Sequence, residues 1–413
     1  MTTWILFDDP RHADLHPLTW LRPASSLLLG AETGRERWER CVAPDTVRVV
    51  CRDELAPLAP GRDPWSQCLE SFGDVGDAIW VSDRFLPSEA TVAELRRLEP
   101  GGTAIRNDVA VARRAGQEPT EVSEATMLDQ LGGGPIQVVE SGEWIEGLGA
   151  LVRLQESLLP TDLERILEEG RTSSGADDAK CYEPQSILTH PASQIDHGAV
   201  LDARGGPIVL GPGTQVRPHT WIEGPFYSGP GCQLLGGKLG GSSLGPVCKV
   251  RGELEASVLL GYSNKAHDGF VGHSYLGEWV NLGALTTTSD LKNNYGIVSL
   301  DVGGTVVSTG SKKVGSFLGD HVKTRIGCLL NTGTIVGVGA NLFGEPAVGQ
   351  RFVPDFSWGH GASAGEYGLE KFLQTAELVF GRRDVPWTNY MRDALASVFE
   401  KTASSRRAAS PNV

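Results

Sequence analysis

One stretch of the chain concentrates side chains that can move protons and hold polar ligands. Between Phe270 and Tyr295 lie His273, Tyr275, Asn281, Lys292, Asn293, Asn294 and Tyr295. A histidine, with an unperturbed pKa of about 6.5, is suited to take a proton from an ammonium near neutral pH. Lys265, Lys292, Lys312 and Lys313 surround the stretch, and lysine serves phosphate as a mobile point charge. Backbone N–H groups of a tight repeat can stabilise a tetrahedral oxyanion. Together these suit acyl transfer. The bland alternatives are that the histidine fills a turn, that the Asn residues form a stabilising ladder, and that Tyr275 packs a corner.

The element that must position these residues is legible in the same stretch. Phe270, Leu276 and Leu282 recur every six residues, with Gly277 and Gly283 directly after two of them. That is the period of a hexapeptide β-helix, in which each short strand sends one residue into the core and then turns a corner. Leu210, Val216, Ile222 and Leu234 hold one such register, with Ser228 between them. Val258, Asn264, Phe270, Leu276 and Leu282 hold a second, and Val314, Asp320, Ile326, Thr332 and Val338 a third. Three hexapeptides make one coil, so residues 182–354 are expected to form eight to ten coils of a left-handed parallel β-helix. Gly236–Gly245 and Leu291–Ser311 interrupt the registers and are expected to leave the column as loops, where binding residues tend to sit. The 52 Gly of the chain concentrate between Gly198 and Gly349 without a collagen-like G-X-Y period.

Residues 1–178 read as an α/β domain of nucleotide-binding, Rossmann-like type. Strands are expected at Trp4–Phe7, Thr46–Cys51 and Ala78–Ser82, and helices at Ala31–Cys41, Glu89–Leu98 and Thr161–Glu169. Their alternation predicts a parallel, doubly wound sheet. Gly170–Asp178 is small and polar, as a linker would be. Residues 360–413 read as a helical tail, with helices over Tyr367–Phe380 and Trp387–Thr402 and a frayed end from Ala403.

At 413 residues, with 40% hydrophobic and 21% charged residues, the chain is of ordinary globular composition and long enough for two or three domains. A net charge of −14 excludes the broad basic surface that nucleic acid requires. The seven Cys (41, 51, 68, 181, 232, 248, 328) form no CxxC pair, so free thiols in a reducing compartment are expected. No apolar run approaches the ~18 residues of a membrane span, and the start, MTTWILFDDPRHADLHPL, is not a signal peptide. A cytoplasmic protein is the expectation.

These segments carry a resemblance to a known family. GYSNKAHDGFVGHSYLGEWVNLGALTTTSDLKNNYG (Gly261 to Gly296) and LHPLTWLRPASSLLLGAETGRERWE (Leu15 to Glu39) resemble the bifunctional uridyltransferase/acetyltransferases that make UDP-N-acetylglucosamine, and more narrowly an alternative bacterial branch of them. The resemblance implies N-acetylation of an amino-sugar 1-phosphate by acetyl-CoA, and a homotrimer whose neighbouring coils hold the thioester. It implies that His273, in GHSYLG against the family's GHxTYLG, is the general base. Tyr275, Asn281 (in VNLGA against VNIGA), Asn294, Tyr295 and Lys313 would contact the sugar phosphate, with Lys265 and Lys292 beside them, and Ala284 would contact acetyl-CoA.

The family's sugar-nucleotide domain opens on a Gly-rich LxxGxGTRM loop, which this chain lacks. Nucleotidyl transfer needs cations for the triphosphate and Mg²⁺ held by carboxylates. Arg22 and Arg37 (or Arg35) are the candidates for the first, Asp8 (or Asp9) and Asp83 for the second. Gly30–Gly34, ahead of a helix, could face a phosphate. Two other readings remain open: a sugar-nucleotide-binding scaffold or sensor with a degenerate N-terminal domain, and a nucleotidyltransferase whose β-helix only assembles the chain.

Overall fold

A computed structural model describes residues 2–52, 55, 77–115, 134–170, 179–344, 350–361 and 364–409. The expected linker lies almost wholly outside these residues, as does Cys68.

The N-terminal domain is built on a six-stranded sheet of β1 (Thr3–Phe7), β2 (Thr46–Val50), β3 (Ala78–Ser82), β4 (Thr103–Arg106), β5 (Val109–Arg114) and β6 (Ile136–Val138), in the order β2-β1-β3-β5-β4-β6. β2, β1 and β3 are parallel, as the alternation with helices predicts. The sheet as a whole is mixed, because β5 runs antiparallel to both β3 and β4. Gly101-Gly102 and Asn107-Asp108 supply the tight turns that allow it, the latter pair at φ +49° and +64°. Trp4, Leu6, Val47, Val49, Ile79 and Val81 meet Trp38 of α1 (Gly34–Val42) and Leu95 of α2 (Glu89–Leu95) in one core.

The helix expected from Thr161 begins much earlier, at Leu148, and runs unbroken to Glu168 (α3) with Pro160 inside it. Leu148, Leu151 and Leu154 face Val258, Leu260, Tyr275 and Phe317 across the domain boundary. Burying that stripe outweighs the lost N–H of one proline. Gly30 and Ala31 do not face a phosphate: their N–H groups donate to Gln155 and Asp162 of α3.

From Lys180 to Trp358 the chain is a parallel β-solenoid. One face is a nine-stranded sheet from Ile187–Thr189 to Phe352–Val353. The register through Leu210, Val216, Ile222 and Leu234 lines the interior as expected. The second shifts phase: Leu259, Lys265 and Val271 point inward, Phe270 does not, and one residue is dropped before Leu276 and Leu282 resume. The third expected register is out of phase. Leu318, Thr324, Leu330, Val336 and Leu342 fill the interior, while Ile326 is 69% exposed and Val314 and Val338 pack outward against other elements. Gly236–Gly245 is no loop, because Gln233–Gly240 is one strand that continues around a corner. Leu291–Ser311 does leave the column, as a hairpin of Ser299–Val302 with Thr305–Ser308.

The tail forms α4 (Leu369–Gly381), α5 (Asn389–Lys401) and α6 (Ala403–Ala409), so Ala403–Ala409 is helical rather than frayed, and the rest of the expected frayed end lies outside the described residues. Phe372, Phe380, Met391 and Leu395 join Leu21 of the first domain and Trp279 and Phe356 of the solenoid in one cluster. Cys41, Cys232 and Cys248 are free thiols.

Candidate active site

His273 sits at a corner of the solenoid, between the strands Phe270–Gly272 and Tyr275–Glu278, in the left-handed region at φ +44°. Its backbone is held on both sides: its N–H donates to the Glu255 carbonyl at 2.9 Å, and its carbonyl accepts from Gly315 N–H at 2.8 Å. A serine ladder stiffens the same corner, with Ser257 Oγ accepting from Ser274 N–H and Ser274 Oγ from Ser316 N–H. The imidazole is thereby aimed out of the column.

It enters a cleft of about 580 Å³ between the solenoid and α3, lined by Glu156, Glu223, Lys238, Glu255, His273 and Lys313 among others. Nδ1 lies 2.7 Å from Asp290 Oδ2, and Nε2 lies 3.2 Å from Glu156 Oε1. Burial alone would push the imidazole's pKa down. The hydrogen bonds to Asp290 and then Glu156 outweigh it, raising the pKa to about 9. Both carboxylates are correspondingly held below their ordinary range, Asp290 against its own burial. At rest, then, the ring is an imidazolium between two carboxylates. The cleft's two lysines are paired, Lys313 with Glu255 at 3.2 Å and Lys238 with Glu223 at 2.9 Å.

Asp290 and Glu156 were not singled out from sequence. Asp290 had a signal: adjacent coils here are offset by 17 residues, as in the pairing of Glu255 with Gly272, and Asp290 is 17 residues after His273. Glu156 had none, since it arrives from the other domain.

The other expected site residues scatter. Lys313 shares the cleft. Lys265 occupies an interior position stacked on Val250, and its ammonium is bound by the carbonyls of Arg251 and Gly269 at 2.7 Å each; burial lowers its pKa to about 8. Tyr275 is buried, its hydroxyl donating to the Leu28 carbonyl at 2.8 Å across the domain boundary. Asn281 accepts from Asn264 in an Asn ladder at 2.9 Å. Ala284 is half-buried on the far corner, its carbonyl accepting from Gly327. Lys292 caps the Ile297 carbonyl, Asn294 accepts from Gly296 N–H, and Tyr295 is exposed. The root of their loop pairs Leu291 with Lys313 at the cleft's edge. His267 is exposed on the turn before Phe270, outside the cleft.

In parallel α/β sheets ligands bind beyond the carboxyl ends of the strands. Here that edge is filled from within. Asp8 pairs with Arg52 at 2.5 Å, leaving only its Oδ1 without a hydrogen-bond partner. Asp83 accepts from Asp9 N–H and Ser25 N–H, and burial followed by repulsion from Asp8 pushes its carboxyl well up. A hollow of about 120 Å³ remains, walled by His12, Trp20 and Arg52 and by Ala394, Val398 and Lys401 of α5. No group of three or more His, Cys, Asp or Glu that could hold a metal is found among the described residues. Arg22 and Arg37 are also committed, Arg22 to Asp320 and Arg37 to Asp162. A larger hollow of about 680 Å³ lies where the two domains and the tail meet. Its arginines are already paired, Arg22 with Asp320 and Arg35 with Glu39, and no histidine lines it.

Residues 4–172 match the family model described as sugar nucleotidyl transferase. Among curated proteins, a bifunctional sugar-1-phosphate nucleotidylyltransferase/acetyltransferase of Sulfurisphaera tokodaii is 34% identical over 91 residues, covering 22% of this chain and 23% of that protein. The bifunctional protein GlmU of Methanococcus vannielii is 29% identical over 136 residues, covering 32% of this chain and 28% of that protein. The matched stretches thus span about a quarter of each relative's length. No helix among the described residues is long and apolar enough to cross a membrane.

Proposed function

We propose that this chain, a relative of the bifunctional sugar-1-phosphate nucleotidylyltransferase/acetyltransferases, is a transferase of nucleotide-sugar synthesis that N-acetylates an amino-sugar 1-phosphate. Acetyl-CoA is the donor, glucosamine 1-phosphate the type of acceptor, and UDP-N-acetylglucosamine the type of end product. The single observation that carries the reading is the His273–Asp290 pair at the mouth of a cleft large enough for a sugar. Asp290 fixes the orientation of the ring and leaves Nε2 facing the cleft, where it takes the proton of the amine once the imidazolium has released its own.

The rest of the reading is consistent with that cleft. Lys313 is its cation nearest the base and the residue to meet a phosphate. Exposed Leu285, Ile326 and Leu329 on the column are a surface that a second and third copy of the chain would cover, bringing the thioester of a neighbouring protomer to the cleft. Mixing the protein with glucosamine 1-phosphate and acetyl-CoA and following thiol release tests it.

For the N-terminal domain a second reading is favoured by the filled carboxyl edge of its sheet: a sugar-nucleotide-type fold kept for binding or assembly rather than catalysis. UTP with N-acetylglucosamine 1-phosphate and pyrophosphate detection separates the two. Pyrophosphate release supports an active domain, and none with measurable acetyl transfer supports a degenerate one.

A further inference from the structure

We infer that Glu156, carried by the helix that leaves the N-terminal domain, is the carboxylate that receives the ammonium of the acyl-accepting amine and presents its nitrogen to His273. This rests on the reading of the cleft as an amine acyltransferase site. Because Asp290 holds Nδ1, only Nε2 can meet a substrate, and Glu156 Oε1 already stands 3.2 Å from it. An ammonium that takes the place of the imidazolium at Glu156 has Oε1 as its acceptor, and Nε2 as a second one once the ring has lost its own proton. Glu156 is also the movable member of the set: its side chain is 53% exposed, against 4% for His273 and 14% for Asp290.

The charges around the gap favour a cationic end of the substrate there. Lys238 and Lys313 are paired with Glu223 and Glu255. Among the described residues no lysine or arginine lies within ion-pair distance of Glu156, and Lys313 acts on it only from farther off. The helix is anchored just ahead of Glu156: Arg153 donates to the Thr309 carbonyl and Gln155 to Ser243 Oγ. One domain thus reads the amine for a base held by the other.

The protons balance as follows. Glu156 turns from the imidazolium to the arriving ammonium, whose positive charge opposes that of the ring, and the imidazolium releases its proton to solvent. Nε2 then takes one proton from the ammonium. The freed nitrogen attacks the thioester carbonyl carbon, and collapse of the tetrahedral adduct breaks the C–S bond. The departing thiolate takes the proton from His273, and the new amide nitrogen returns its excess proton to the ring. The sum is ammonium plus thioester giving amide, thiol and one proton in solution.

Glu156→Gln tests this without relying on turnover alone. The groups facing the ring are Asp290, Glu255 and Lys313 on the solenoid and Glu156 on the helix, so removing one anion must lower the midpoint of its NMR titration. We expect a fall of about one pH unit or more, and a KM for the amino sugar raised ~10- to 100-fold with KM for acetyl-CoA unchanged. Glu156→Asp should restore part of the binding. An unchanged titration, or equal rises in both KM values, overturns the assignment and leaves Glu156 a structural residue. If the wild type transfers no acetyl group, the underlying reading fails separately. Calorimetry with glucosamine then still decides for Glu156: weaker binding to Glu156→Gln supports it, and equal binding rejects it.

Discussion

Arg22 and Asp320, 298 residues apart, meet as a buried two-pronged ion pair at 3.0 and 2.8 Å. Arg22 also donates to the Leu18 carbonyl and approaches Glu278 at 3.4 Å. Asp320 in turn accepts from Glu278 N–H. Burial raises the Asp320 carboxyl and opposes the charge on Arg22, yet the pair satisfies both groups. It fastens the N-terminal domain to the column one coil from the turn of His273. That docking in turn sets where α3, and with it Glu156, stands.

Removing one partner should therefore be costly. Asp320→Ala leaves a guanidinium buried without its counter-ion, a change worth about 3–5 kcal/mol. Denaturant unfolding followed by tryptophan fluorescence reads it. A loss below about 1 kcal/mol would mean that water or Glu278 takes over the role.

Asp290→Asn should keep the ring in place but remove its stronger anionic partner. The His273 titration midpoint should fall from about 9, and acetyl transfer at neutral pH should drop ~10- to 100-fold through a less well oriented base. Activity equal to wild type would show that Asp290 is a bystander.

The same pair has a signature in stability. The pKa of His273 is about 9 in the folded chain, against about 6.5 unfolded, so its contribution is fully present below pH ~6.5. It is lost as pH rises through about 9, and amounts to something on the order of 3 kcal/mol. Thermal unfolding of wild type and His273→Gln should differ most near pH 6 and converge by about pH 10. A gap that widens with pH contradicts this sign.

Tyr275→Phe separates packing from substrate contact. The hydroxyl's partner is the Leu28 carbonyl, so the variant should lose about 1 kcal/mol of stability and keep its KM for the amino sugar. A raised KM with unchanged stability would return Tyr275 to the site.

Much of this architecture is visible in the sequence, and the misses have physical causes. A six-residue period announces the solenoid but does not fix its phase. Val314, Asp320 and Val338 are as periodic as Leu318, Leu330 and Val336, and they are buried too, but by neighbouring elements instead of the column's interior. Pro160 suggests a helix boundary, which the apolar stripe from Leu148 to Leu163 overrides. His273 stands out by its surroundings in the chain, and Asp290 could be found one coil later. Arg22, Arg37, Asp8 and Asp83 have the residue types of a nucleotide site, but each already has a partner in the fold, which composition cannot reveal. Glu156 comes from another domain and has no sequence signal.

The account turns on His273 as the group that accepts the amine's proton. Thiol release from acetyl-CoA with glucosamine 1-phosphate, compared among wild type, His273→Ala and His267→Ala, tests this most directly. The account predicts release by wild type and His267→Ala, and a loss of ~10²- to 10⁴-fold in His273→Ala with its circular dichroism unchanged. Undiminished release by His273→Ala, above all together with a loss in His267→Ala, would contradict it.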